Sequence, residues 1–194
     1  MTHPQSQLLR KALERCFTQS IQWAGVVYRS ASPRYSNKND ILTGFGSRIT
    51  GARWTPPRGF PTVYASLDPH TALDEVLAHF RHFSIPIESA MPRVMVSIRV
   101  RLTHVLDLTE GRTRSILRVS LRRMVNEPWR EEQGAGREAV TQALGRLACE
   151  LGWEALIVPS AARKEGVNLI LYPDKLNHDS TIEIINAEEL PSPP

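Results

Sequence analysis

Cysteine is scarce in this chain of 194 residues: Cys16 and Cys149 lie far apart in sequence, each on the face of a predicted helix. They read as buried small hydrophobes, and a disulfide-stapled secreted scaffold is excluded. Long apolar runs are missing as well, since no stretch reaches the roughly 18–20 apolar residues of a membrane-crossing helix. The first ten residues are polar and carry no apolar segment ahead of a small-residue cleavage site. A secretory signal is therefore not expected, and the expected compartment is the cytoplasm. Lysine is nearly absent, with four Lys against twenty Arg in a net charge of +4. Arginine presents a planar fork matched to phosphate and carboxylate, whereas lysine is a point charge. The bias fits an anionic ligand or an acidic partner, although a GC-rich coding sequence gives the same excess. No phosphate-loop or His-Glu-x-x-His motif is present, and no metal is expected. At 41% hydrophobic and 23% charged, the composition is that of an ordinary folded protein. The length suits one domain.

Hydrophobic spacing places the elements. Leu9, Ala12, Leu13, Cys16 and Phe17 predict an amphipathic helix over residues 5–22. Gly25 is expected to break it before a short strand at residues 26–29. Residues 30–61 form a long Gly/Pro-rich stretch with at most a short helix or turn around residues 41–49, and loops of that length are usually functional. A strand follows at residues 62–66. Asp68 and Pro69 then read as the N-cap and first position of a helix to about His82. Its expected core stripe is Ala72, Leu73, Val76, Leu77 and Phe80, with Glu75, His79 and His82 on one flank. Residues 94–102 alternate strictly, apolar against polar, and predict a strand continuing to Leu108 after a bulge. A basic helix is expected over residues 112–125, a loop at 133–136 and an amphipathic helix from Val140 to Leu151 stopped by Gly152. Strands at 155–158, 167–172 and 182–185 precede a Pro-rich tail at 190–194. The fold class is mixed α/β (α+β), one domain without the regular alternation of a doubly wound sheet.

The chemistry-bearing residues concentrate between Gly51 and Glu75. Arg53 sits between Gly51 and the pair Pro56 and Pro57, which hold its backbone in a fixed non-helical path. On spacing alone it reads more readily as a loop arginine bonding nearby carbonyls than as a phosphate clamp. Tyr64 on its strand and Glu75 on its helix follow at intervals of eleven residues. A strand tyrosine is commonly a core residue with one satisfied hydroxyl, and a helix glutamate is commonly solvated. A cation, an aromatic face and a carboxylate are also what a pocket needs to hold a pyrophosphate, stack a base and steady a cationic sugar. Arg29 at a strand end is more often a salt-bridge partner. Ser160 follows an apolar strand and Pro159, and no histidine beside it supports a serine nucleophile. Asn168 caps a turn or touches a ligand with equal readiness. The arginines of residues 112–123 lack the interleaved aromatics of a base-stacking surface, so direct nucleic-acid binding is not expected.

With Tyr28 and Arg29 upstream and Val158, Pro159, Ser160 and Ala161 downstream, the stretch from Gly51 to Glu75 resembles the RES domain family over residues 26–173. That family comprises toxins of toxin–antitoxin pairs that attack NAD and share a fold with ADP-ribosyltransferases. The resemblance implies a single compact domain with a small, mostly antiparallel sheet flanked by helices, at residues 26–190, preceded by an N-terminal helical extension at 1–25. It implies NAD as substrate, with Arg29 and Arg53 on the pyrophosphate, and Tyr64 and Trp54 shaping the nicotinamide-ribose side. Glu75 then steadies the ribose cation as nicotinamide leaves, and Ser160 and Asn168 serve as ligand-binding groups. It leaves hydrolysis, phosphorolysis and protein ADP-ribosylation open, and implies a cognate antitoxin of the Xre type, itself DNA-binding. The family often places two glycines before the arginine, and here the second is Ala52. A homo-oligomer is compatible with the N-terminal helix, and a non-catalytic binding module is the reading from a different class.

Overall fold

The computed structural model describes residues 2–191; the last three residues of the expected tail lie outside the described residues. In chain order the elements are α1 (Ser6–Arg15), β1 (Ile21–Ala31), α2 (Lys38–Leu42), α3 (Phe45–Thr50), β2 (Val63–Ser66) and α4 (Pro69–His82). They continue with β3 (Val94–Asp107), α5 (Gly111–Leu117), α6 (Leu121–Asn126), α7 (Trp129–Gly134), α8 (Val140–Glu150), β4 (Ala155–Pro159), β5 (Val167–Leu171) and β6 (Thr181–Ile184).

The strands pair in the order β1-β2-β5-β4-β3-β6, and β3 pairs again with β1, so the sheet closes into a ring with β6 beside β3. Every pairing is antiparallel except β3 with β4. Alternation along the strands sorts the side chains into two cores. One core is almost entirely strand residues, including Val27, Val63, Ile98, Leu169 and Ile184. The other lies between the opposite face of β4 and β5 and the helices α1, α5, α6 and α8, around Leu144, Trp153, Leu156 and Tyr172. The expected bulge in β3 is present: pairing slips between Trp23 opposite Leu102 and Ile21 opposite Val105. The bulge frees two backbone donors, and both are taken by one buried carboxylate, Thr103 N–H at 2.7 Å and His104 N–H at 3.0 Å from Glu154 Oε2.

Several elements differ from expectation for identifiable reasons. The helix expected to residue 22 ends at Arg15, and Gly25 lies within β1, where the 11-residue strand is held by β3 along its length. The division expected at residue 25 thus falls inside β1, while Leu9, Leu13 and Cys16 pack into the helical core. The basic helix splits into α5 and α6, because Arg118 takes a left-handed backbone (φ 55°) and Ser120 caps the second piece through Arg123 N–H. Gln133 and Gly134 belong to α7, not to a loop. Of the stripe on α4, Ala72 alone is fully buried; Val76 and Phe80 instead line a cleft. The Asp68 cap accepts from Thr71 N–H at 2.9 Å, as its position implied.

Candidate active site

That cleft encloses about 470 Å³ between β1, β2, α4, α7 and the loop before β2. Volumes of a few hundred Å³ are typical of small-molecule sites. Glu75 is the one carboxylate among the described residues that line it, against Arg29, Arg53, Arg93 and Arg130. No ion pair involves any of the four arginines among the described residues. An unpaired cationic cluster around one acid is a receptor for a multiply charged anion.

Glu75 is fixed by groups from the far end of the chain. Its Oε1 accepts from Ser160 Oγ and from Asn168 Nδ2, each at 2.6 Å. Each donor is itself held: Ser66 Oγ donates to Asn168 Oδ1 at 2.7 Å, and Ser160 Oγ accepts from Ala162 and Arg163 N–H at 3.1 Å. Oε2 has no hydrogen-bond partner among the described residues.

Arg53 is aimed by a stapled turn. Ala52 and Thr55 exchange backbone hydrogen bonds across it, and Gln142 Nε2 donates to Ala52 O at 3.1 Å. Gly51 precedes it with φ 74°, where an added Cβ would lie 2.6 Å from Gln133 Oε1. Arg53 Nη1 donates to Met124 O at 3.0 Å and Glu127 O at 3.1 Å, so the tether runs to the end of α6. Burial lowers the pKa of Arg53, opposed by Glu75 and reinforced by Arg130. On β1, Arg29 Nη1 donates to Tyr64 O at 3.1 Å, and burial, with Arg93 nearby, brings its pKa down to about 10. Burial is the main cause of both depressions, and a bound anion would offset it by favouring the charged guanidinium.

Three expected residues take different roles. Trp54 is 2% exposed and packs in the helical core, so its indole does not shape the pocket. Its backbone also passes close to α8, where a Cβ on Gly145 would sit 1.9 Å from Trp54 O. Ser160 Oγ, expected to meet the ligand, has its donor and two acceptor positions taken by Glu75 Oε1 and the N–H groups of Ala162 and Arg163. The Tyr64 ring borders the cleft, but its hydroxyl is bonded to Trp54 N–H at 3.0 Å and Thr55 Oγ1 at 2.9 Å. Burial raises its pKa, which keeps the hydroxyl protonated. Arg29, Arg53, Glu75 and Asn168 do line one cleft. Sequence reasoning missed Arg93, Trp129 and Arg130. Arg93 directly precedes the alternating strand, and Pro128 before Trp129 is a helix-start signal that marked α7.

A closed, mostly antiparallel sheet with an arginine-lined cleft and a tethered helix glutamate defines the class: the RES domain model matches residues 26–191, and the chain belongs to the RES domain family. Among its relatives, the proteins named NAD(+) phosphorylase MbcT from Mycobacterium bovis and Mycobacterium tuberculosis are 27% identical over 154 residues, 78% of this chain and 74% of theirs. A chain in the crystal structure of the M. tuberculosis MbcT-MbcA toxin-antitoxin complex has the same fold, with a TM-score of 0.65 at 22% identity, covering 95% of this chain and 97% of that one. No group of His, Cys, Asp and Glu suited to a metal occurs among the described residues, nor any helix long and apolar enough to cross a membrane.

Proposed function

We propose that this protein is an NAD-cleaving toxin that breaks the bond between nicotinamide and ribose and is held in check by a cognate antitoxin. The observation that carries the reading is Glu75, oriented by Ser160 and Asn168, facing unpaired arginines in one cleft. As the glycosidic bond lengthens, positive charge develops on the ribose, and a carboxylate fixed beside it stabilises that state more than the ground state. The arginines bind the pyrophosphate through charge-assisted hydrogen bonds worth roughly 1.5–3 kcal/mol each. Arg53 arrives with its backbone and one nitrogen already tied, so little entropy is lost on binding. The relatives' name favours phosphate over water as acceptor. NAD is an intracellular metabolite, and we place the protein in the cytoplasm with it.

The test is NAD consumption by purified protein, with and without inorganic phosphate, followed by product identification. ADP-ribose 1″-phosphate is the expected product, free ADP-ribose would indicate hydrolysis, and a labelled protein band in lysate would indicate transfer. Glu75→Gln should lower turnover at least 100-fold with an unchanged melting temperature. In cells, wild type should arrest growth and Glu75→Gln should not. Stable NAD over hours in every condition would refute the reading.

A further inference from the structure

The cleft carries more positive charge than a dinucleotide needs. Four arginines against Glu75 leave three net positive charges, whereas a pyrophosphate brings two negative ones. The arginines also stand in two places. Arg29 on β1 and Arg93 at the foot of β3 are neighbours, since Arg93 donates to Ser30 O at 2.8 Å and Ser30 Oγ at 3.2 Å. Arg53 is tied to the end of α6, and Arg130 follows on α7 with its guanidinium stacked 4.3 Å from the Trp129 ring centre. A guanidinium held by its face keeps its N–H edge free for an oxyanion. Glu75 acts electrostatically on Arg53 and Arg130, raising the pKa of each against the effect of burial.

Ribose chemistry decides which pair meets which anion. The pyrophosphate hangs from C5 of the ribose, across the ring from the reacting C1, while an attacking nucleophile must reach C1 itself. We propose that the cleft holds two anions at once: the NAD pyrophosphate on Arg29 and Arg93, and a separate inorganic phosphate on Arg53 and Arg130, beside Glu75 and the ribose C1. This rests on the NAD-cleaving reading and moves Arg53 from the pyrophosphate to the acceptor. In the step itself the C1–N bond breaks with its electron pair going to nitrogen, so nicotinamide leaves neutral. A lone pair of the phosphate dianion forms the new C1–O bond, and the product is a ribose 1-phosphate monoester.

Calorimetry with inorganic phosphate and carba-NAD, whose carbocyclic ring resists cleavage, tests the division. Wild type should bind phosphate with carba-NAD already present. Arg130→Gln should weaken phosphate at least tenfold and change carba-NAD less than twofold; Arg93→Gln should do the reverse. Arg130→Lys, which keeps the charge, should recover most of the phosphate affinity and show that the glutamine variant did not merely misfold. Displacement of phosphate by carba-NAD in wild type, or equal loss of both ligands in both variants, overturns the proposal while NAD cleavage, if observed, leaves the wider reading intact. Failure of wild type to bind carba-NAD overturns both.

Discussion

At the scale of single residues, the site separates groups that meet the ligand from groups that hold others in place. Ser160 Oγ donates one bond to Glu75 and accepts two from the backbone, which exhausts its geometry. Ser160→Ala should therefore lower kcat on the order of tenfold through a misplaced carboxylate, with KM for NAD unchanged and rescue by Ser160→Thr. A larger rise in KM than fall in kcat would mean that the hydroxyl touches substrate after all. Tyr64→Phe keeps the ring but strands Trp54 N–H, while Thr55 Oγ1 keeps its bond to Thr62 Oγ1 at 3.0 Å. Its cost should be about 1–3 kcal/mol in urea unfolding, the penalty for a buried donor left unmade. Arg53, Glu75, Ser160 and Asn168 were all legible as candidates; the bonds of the last two to Glu75 were not, because they lie 85 and 93 residues beyond it.

Between elements, the junction of α6, α7 and α8 is the least expected part of the fold and the one that aims Arg53. The N-cap position of α8 is Ala139, whose methyl group accepts no hydrogen bond, so the helix borrows a cap. Glu127 takes the N–H groups of Val140 at 2.8 Å and Thr141 at 2.9 Å, while its carbonyl accepts from Arg53. Glu127→Ala should cost about 1–2 kcal/mol, as lost caps do, and should also raise KM for the ligand that Arg53 holds. Denaturation and steady-state kinetics on the same variant read both effects. Local signals succeeded where one residue sets an element's end, as at Asp68 and Gly152. They failed where a distant group did so, as with Glu127, or where a left-handed residue interrupted a regular pattern, as at Arg118.

For the molecule as a whole, Glu154 is the acid-sensitive joint. It is 1% exposed and bonds the β3 bulge together with Asn177 N–H at 2.9 Å and Ser180 Oγ at 2.7 Å. Burial alone would raise its pKa, but these bonds overcome it and hold the carboxyl below its ordinary value. A depressed folded pKa gives stability that is complete above the unfolded value near 4.5 and is lost as pH falls through the folded value. Acid unfolding followed by circular dichroism should show that loss below pH 4.5 in wild type, and Glu154→Gln should flatten it while unfolding more easily at pH 7. The strand β3 could be read from alternation, and β4 and β5 from short apolar runs. Closure of the ring could not, because it depends on which strands pair, and period-two patterning carries no partner identity.

That closure also fixes when the cleft comes into being. On the side away from β1, the ring joins β2 to β3 through β5 and β4, the fifth and fourth strands to be made. A ribosome adding about 5–20 residues per second needs several seconds to travel from Glu75 to Asn168. Throughout that interval the nascent chain carries Arg29, Arg53 and Glu75 without the groups that orient the carboxylate. A chain terminated before β4 lacks Ser160 and Asn168 and should therefore cleave no NAD, and a partner made alongside the protein would have those seconds in which to meet it.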